Sequence, residues 1–366
     1  MFLVTPLKSL RFTLLVFAVL LLQQARSENK ETDYIKAYYP VIHEAEMLVL
    51  SKDYSAALDK YAEAFKAVPA PFARDYYNAA VCATLTENYA QTYSYLQALA
   101  LKGVKLSFIE KQEVFKPLQE SKEWKKLQKK YPKYRKKYKR HANLDVRADL
   151  DELYARDKYF RFAKGGLRVY ADTLRKIENE NVDNLLRTIQ KHGYPGEKLI
   201  GVGDTIEQLP RFSIVIERQT TAKKGFDFSD ILKEAVQKGD ISPQAAAYLM
   251  ETQKGTRYYK TRALVRVACT NKKDCEGDKK LKALNKYLVE DLSKKEEKKV
   301  NDLRAEIGLE PVDDYRRKVL YSLSDNRFML GYRWSVANYI VPGRDAAEEL
   351  TRGLVSAETA LTAKEK

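Results

Sequence analysis

Residues 53–69 read DYSAALDKYAEAFKAVP, and this stretch decides the fold of the N-terminal part. Its small and aromatic residues recur at helical spacing, since Tyr61 follows Ala57 by four residues and precedes Ala64 by three. Small residues allow two helices to approach closely, and Pro69 cannot continue a helix. The stretch therefore predicts the second helix of a helical hairpin.

A weaker copy of the pattern follows 35 residues later. Ala80 stands 35 residues after Ala45, and Asn88 stands 35 residues after Asp53. The closing positions of the copy are degraded, because Gly103 replaces the proline that ends the first hairpin. A third helical pair is expected between residues 106 and 127.

On these residues, the segment 33–128 resembles the tetratricopeptide repeat, a helical hairpin built on small residues and closed by proline. The resemblance implies that the hairpins stack and leave a concave surface. One expectation is that this surface holds a protein or peptide partner. The alternative is that two or three hairpins only cap the neighbouring domain.

Residues 125–140 hold ten basic residues and no acidic one. We assign 129–143 as a basic linker helix, whose apolar residues share one face and which Pro132 kinks or restarts. Tyrosines interleaved with base can bind an acidic polymer through charge and stacking, and a basic face can lie on an anionic membrane. The alternative is a solvated helix whose tyrosines pack on the helical module. The candidate binding residues are Lys129, Lys130, Tyr131, Tyr134, Lys136, Lys137 and Tyr138.

The remaining chain mixes helical and strand-like patterns. We assign 144–320 as an α+β domain and 321–366 as a C-terminal extension that packs on it. Helices are expected at 150–168, 181–191, 228–238 and 242–250, a strand at 257–268, a strand or loop at 198–203, and a long helical stretch at 281–307. The fold class is mainly α, and α+β overall, with tetratricopeptide-like hairpins before a helix-rich domain containing a few short strands.

Several blocks resemble an uncharacterised domain family found mainly in exported proteins of Bacteroidota. They occur in the expected order at 157–161, 183–195, 201–203, 239–249 and 300–315. The resemblance implies an exported bacterial envelope protein. The more reactive positions depart from the family pattern, because Glu217 stands where members carry a histidine and Met250-Glu251 where they carry an Asp-Arg pair.

The sequence contains no nucleophile elbow, phosphate loop, zinc motif or Cys–His pair. It has only three histidines, so acid–base chemistry would fall to carboxylates. The catalytic candidates are Asp157, Glu217, Glu251 and Arg257. They define the alternative function, a carboxylate-dependent hydrolase acting on cell-wall or glycan material, which requires Glu217, Glu251 and Arg257 to surround one pocket. The favoured function is a non-enzymatic protein- or polymer-binding module, with no cofactor and no metal.

The first 27 residues predict a cleavable signal peptide. Lys8 and Arg11 precede an apolar run of eleven residues at 12–22, and small residues follow at 25 and 27. This run is shorter than the roughly 20 residues that span a bilayer. Because no cysteine occurs before Cys82, we expect a periplasmic or extracellular protein that is not lipid-anchored.

Export changes the net charge of the mature chain and the oxidation state expected for its cysteines. Loss of Lys8, Arg11 and Arg26 lowers the formal charge from +16 to +13, which favours an acidic envelope polymer or membrane surface over nucleic acid. Cys269 and Cys275 flank a polar, turn-rich stretch, and an oxidising compartment predicts a disulfide between them.

Overall fold

A computed structural model describes residues 32–206, 208–270, 275 and 284–363. The expected signal peptide at 1–27 lies outside the described residues. Within them, no helix is both long enough and apolar enough to cross a bilayer.

Two helical hairpins begin the described chain, and their turns repeat with the period expected from the sequence. Asp53 caps one helix by accepting a hydrogen bond from the backbone of Ala56 at 3.1 Å, and Asn88 caps another in the same way. Lys52 and Glu87, which precede these caps, both have positive φ, at 63° and 56°. The repeat-like hairpins are thus confirmed. Their helices are α1 (Tyr34–Ala37), α2 (Tyr39–Leu50), α3 (Tyr54–Ala67), α4 (Ala73–Leu85) and α5 (Tyr89–Lys102).

The expected third pair is replaced by short turns and one long helix. A 3₁₀ turn at Glu113–Phe115 separates two short helices, and a 20-residue helix then begins after the Ser121 cap. This long helix passes through Pro132 without ending, crosses the expected boundary at 128/129 and packs against α5. The basic segment is therefore the last helix of the helical module. These helices are α6 (Leu106–Glu110), α7 (Lys116–Gln119) and α8 (Lys122–His141).

The second part begins with a long antiparallel hairpin, whose turn at Gly165 and Gly166 has positive φ in both residues. This turn corrects the expected helix at 150–168, which ends at Phe162. Residues 198–203, for which the sequence predicts a strand or a loop, contain the end of a short helix and then a loop. The helices are α9 (Leu144–Phe162), α10 (Gly166–His192), α11 (Glu197–Ile200), α12 (Ser213–Arg218), α13 (Ser229–Lys238) and α14 (Pro243–Lys254).

A four-stranded sheet forms the last part of the described chain, in the order β3-β1-β2-β4. β1 runs parallel to β3, whereas β2 is antiparallel to β1 and β4. Each register is illustrated by one pair, Leu264 with Val336, Val265 with Leu288, and Val289 with Val355. The strands are β1 (Leu264–Cys269), β2 (Leu288–Glu290), β3 (Val336–Val341) and β4 (Leu354–Ser356).

The helices around the sheet correct two further expectations. The sequence predicts a helical stretch at 281–307, but this stretch contains β2. Its helix begins at Lys294, where Ser293 and Glu296 form a capping box. The helix Val312–Ser324 runs across the expected boundary at 320/321, and the tail beyond it supplies β3 and β4. These helices are α15 (Lys294–Glu306), α16 (Val312–Ser324), α17 (Arg344–Thr351) and α18 (Ala357–Ala363).

The helical module and the second part share one apolar core, which extends from Tyr34 to Trp334. Polar contacts also join the two parts. The Tyr39 hydroxyl donates to the Val236 carbonyl at 2.8 Å. The Asn78 side chain bonds both the amide and the carbonyl of Met329, at 2.8 and 3.2 Å. α2 and α4 thus both contact the second part of the chain, and the protein or peptide partner expected for the hairpins stays a prediction.

The cysteine prediction is confirmed. Cys269, at the end of β1, and Cys275 lie within disulfide-bonding distance, with Cα atoms 6.4 Å apart. Cys82 is a buried free thiol in α4. The fold class is also confirmed, since the described chain is mainly helical with one small sheet.

Candidate functional site

A cavity of 440 Å³ lies between the hairpins and the second part. Its lining comes from α2 and α4, from α16 and the segment 326–336, and from residues between 194 and 245. Leu323 and Asn326 belong to the lining and are exposed, so the cavity reaches the surface there. Its volume falls within the range of roughly 300–1,000 Å³ that is typical of small-molecule sites. The aromatic lining residues are Tyr39, Phe72, Tyr194, Phe328 and Tyr332.

One group of charges in the cavity wall is internally paired. Lys318 of α16 is 3% exposed and forms ion pairs with Glu46 at 2.5 Å and Glu310 at 2.7 Å. Arg304 donates from Nε to the Glu310 carbonyl oxygen at 2.6 Å. Burial would raise the pKa of Glu310, but Lys318 and Arg304 hold it at about 2. This cluster joins the helical module to the second part. Its role is structural, because its positive and negative charges are paired with one another.

Asp75 is a carboxyl of the cavity wall whose charged form is disfavoured by burial. It is 6% exposed, and Oδ2 accepts a hydrogen bond from the Tyr38 hydroxyl at 2.6 Å. Burial is the main cause that raises its pKa to about 7, and the charge of Glu46 adds to it, while Tyr38 and Arg74 act in the opposite direction. Asp75 thus changes charge near neutral pH.

Arg74, in the first turn of α4, lies beside Asp75 in the sequence and in the wall. Its guanidinium stacks 3.9 Å above the ring of Tyr332. Nε and Nη1 are buried and have no hydrogen-bond partner in the described part of the chain. Burial lowers the pKa of a guanidinium, but the charges of Tyr332, Glu46 and Asp75 more than offset this and raise the pKa of Arg74. Arg74 is therefore a charged group with unused donors.

The tyrosines of α8 face the protein. Tyr134 and Tyr138 are buried, and Tyr131 is half-buried. Tyr131 donates to the Val104 carbonyl at 3.0 Å, the Tyr134 hydroxyl bonds that of Tyr93 at 2.6 Å, and Tyr138 donates to the Val202 carbonyl at 3.4 Å. The expectation that these rings stack on a polymer is corrected, because their faces pack against the module.

The basic side chains of α8 point the other way. Arg135 alone of the ten turns partly inward, donating to the Gly103 carbonyl and pairing with Asp204 at 3.7 Å. The other nine are exposed, and none of them forms an ion pair with another described residue. Lys126 also lies 4.6 Å above the Tyr93 ring. The nine are Lys125, Lys126, Lys129, Lys130, Lys133, Lys136, Lys137, Lys139 and Arg140.

The candidate Asp157 belongs to a buried ion-pair cluster. It is 2% exposed and pairs with Arg161 at 2.7 Å and with Arg218 at 3.5 Å. Arg161 also pairs with Glu178 of α10. The expected pairing of Asp157 with Arg161 four residues later is present, but it is buried between α9, α10 and α12 rather than on a helix surface.

The other three catalytic candidates, Glu217, Glu251 and Arg257, each contact different residues. Glu251 accepts backbone hydrogen bonds from Tyr259, Lys260 and Thr261 at 2.6, 2.9 and 3.2 Å, so it holds the turn before β1 in place. Glu217 pairs with exposed Arg333 at 3.5 Å.

Burial raises the pKa of both Glu217 and Glu251, and their positive or hydrogen-bonding neighbours oppose it. Arg257 is exposed and contacts the Tyr339 hydroxyl at 3.3 Å and Glu290 at 3.7 Å. None of the candidates Asp157, Glu217, Glu251 and Arg257 lines the 440 Å³ cavity.

The cavity residues Glu46, Arg74, Asp75, Glu310 and Lys318 were missed from the sequence. A signal was present, because Glu46 directly follows the packing residue Ala45 and thus lies next to the apolar face of the first hairpin. No comparable signal marks Lys318, whose partner Glu46 lies on a helix 272 residues away in sequence. In the described residues, no three His, Cys, Asp or Glu side chains converge as a metal site.

No family model matches the chain, and comparison with curated proteins and with solved structures gives no match either. The two family resemblances therefore stay predictions. The function has to be argued from the geometry of the cavity and of α8.

Proposed function

We propose that this chain is an exported, non-enzymatic binding protein whose helix α8 holds a linear acidic polymer of the cell envelope. The observation that carries the proposal is the row of nine exposed basic side chains on α8, which have no ion-pair partner among the described residues. A helix of 20 residues is about 30 Å long. Such a length of uncompensated charge attracts polyanions at long range.

The direction of the apolar face favours a polymer over a membrane. An amphipathic helix binds a bilayer by burying its apolar face in the interface. In α8 that face, formed by Trp124, Leu127, Tyr134 and Tyr138, is already buried in the protein. At 3.6 residues per turn, the nine basic residues spread over about half the circumference of the helix. A flexible chain can follow that curved surface more fully than a flat membrane can.

The test is retention on immobilised heparin, used as a model linear polyanion. Replacing Lys129, Lys130, Lys136 and Lys137 with glutamine should lower the salt concentration at elution. The slope of log affinity against log salt should fall by about one for each lysine in contact. All four side chains are exposed, so the fold should be retained.

The control removes the same charge elsewhere, with glutamine at Lys233, Lys294, Lys295 and Lys299, which are exposed. Equal losses in the two variants would mean that only net charge matters, and the assignment to α8 would fail. Strong binding to phosphatidylglycerol vesicles without retention on heparin would replace the polymer with a membrane.

Export is supported by the leader-like residues 1–27 and by the Cys269–Cys275 pair, since disulfides persist in oxidising compartments. When the full chain is produced in a bacterial host, N-terminal sequencing of the periplasmic fraction should give Glu28 as the first residue. An unprocessed chain confined to the cytoplasm would contradict export without affecting the polymer site.

A further inference from the structure

We propose that the cavity between the hairpins and the second part binds a small organic carboxylate with an apolar body, and that Arg74 receives its carboxylate. This site is separate from α8 and goes beyond the polymer function. The carrying observation is a charged guanidinium in the cavity wall whose Nε and Nη1 are buried and find no acceptor among the described residues.

An unpaired buried donor is unfavourable, and in folded proteins such groups are normally bonded. The protein has already oriented this guanidinium by stacking it 3.9 Å above Tyr332. Within the part of the chain that the structure describes, only an acceptor for these donors is missing. Carboxylates match guanidinium donors in charge and in planar geometry.

The acidic residues nearby do not supply that acceptor. Glu197 accepts from the Ala73 amide at 2.8 Å and pairs with Lys102 at 3.2 Å. Glu46 is engaged by Lys318 at 2.5 Å. Asp75 accepts from Tyr38 and lies in the region of the cavity where a second negative charge would favour its protonated form.

The rest of the wall suits an apolar body. Aromatic rings and aliphatic side chains, including Ile42, Ile206 and Leu330, provide about half of the residues that line the cavity. The opening near Leu323 and Asn326 gives a route from the surface. Apolar lining with a few convergent polar groups is the usual composition of a small-molecule site.

The experiment compares 3-phenylpropanoate with 3-phenylpropanamide, which has the same shape without the charge. Calorimetry on the full chain should show the acid binding at least ~10-fold more tightly than the amide, because a hydrogen bond to a charged group is stronger than a neutral one. The Arg74→Gln variant should remove that preference, and Arg352→Gln, at an exposed arginine, should retain it.

The comparison of acid with amide uses only the wild-type chain, so it remains decisive if Arg74→Gln fails to fold. A second readout is proton uptake in buffers of different ionisation enthalpy. Binding of the acid at pH 7 should take up protons in the wild type, and much less in Asp75→Asn. Equal affinity for acid and amide, or no binding of either at millimolar concentration, would overturn the proposal.

Discussion

Replacing Asp75 with asparagine should make the protein more stable relative to wild type as the pH rises. The asparagine has the same shape and can still accept the hydrogen bond from Tyr38, which is 2.6 Å long in the wild type. It cannot ionise. The comparison therefore isolates the free energy of holding a carboxylate in the cavity wall.

The sign follows from the two pKa values of Asp75. The pKa is 3.8 in the reference state and about 7 in the folded protein. Between these values the folded carboxyl holds a proton that the unfolded chain has released. Folding therefore binds protons, and the free energy of unfolding decreases as the pH rises through this window. Below pH 4 both states are protonated and the penalty is absent, whereas above pH 7 it is fully present.

The magnitude follows from the size of the shift. Each pKa unit corresponds to about 1.4 kcal/mol, so a shift of about three units amounts to about 4 kcal/mol. Four groups set the charge around this carboxyl: Glu46 on α2, Tyr38 before α2, Arg74 beside it on α4, and Glu197 on α11. Because the same groups surround residue 75 in both proteins, the difference between variant and wild type reports mainly the ionisation of Asp75.

The assay is urea unfolding followed by far-UV circular dichroism at intervals from pH 4 to pH 8. The advantage of Asp75→Asn over wild type should grow by about 4 kcal/mol across this range. Asp59→Asn, at an exposed position on α3, is the matched control and should stay parallel to wild type. Parallel curves for Asp75→Asn as well would refute the reasoning, because they would mean that Asp75 ionises freely in the folded protein.

Two other substitutions test the structural contacts. Lys318→Met should destabilise the protein by about 3–5 kcal/mol in urea unfolding, since it leaves two buried carboxylates without their shared cation, while Lys299→Met at an exposed position should change stability by no more than about 0.5 kcal/mol. Replacing Cys269 and Cys275 with serine should cost about 2 kcal/mol by the chain-entropy estimate for so short a loop, and the wild type measured with dithiothreitol should lose the same amount.

The hairpins could be predicted because their determinants are local. Asp53 and Asn88 cap helices within their own turns, and Ala57, Tyr61 and Ala64 become buried at the spacing seen in the sequence. The sheet could be predicted only in part. β1 lies parallel to β3, which begins at Val336, 72 residues after Leu264, and β2 is only three residues long. A pairing so distant leaves no periodic trace near either strand.

The two candidate sites, α8 and the cavity, also differ in how far the sequence predicts them. The charge of α8 is visible in the sequence, and only the inward direction of its tyrosines needed the fold, because that depends on contact with α5. The cavity could not be predicted, since Arg74 and Asp75 look like an ordinary charged pair in the first turn of a helix. They become wall residues only when the segment carrying Tyr332 packs across them.

The role of a buried charged group in the cavity wall depends on its partners. Lys318 has two carboxylates within 2.7 Å, and its pKa, which burial alone would lower, is raised to about 12 by Glu310 and Glu46. Its charge is thus satisfied by the protein, and its role is to join α16 to α2. Arg74 also keeps its charge, but it has an aromatic ring beneath it, and residues 32–206, 208–270, 275 and 284–363 supply no acceptor for Nε or Nη1. The Arg74 guanidinium is oriented, but two of its donors are unbonded, and this suits the binding of a ligand better than the stability of the fold. A ligand acceptor would remove the free-energy cost of those buried, unbonded donors.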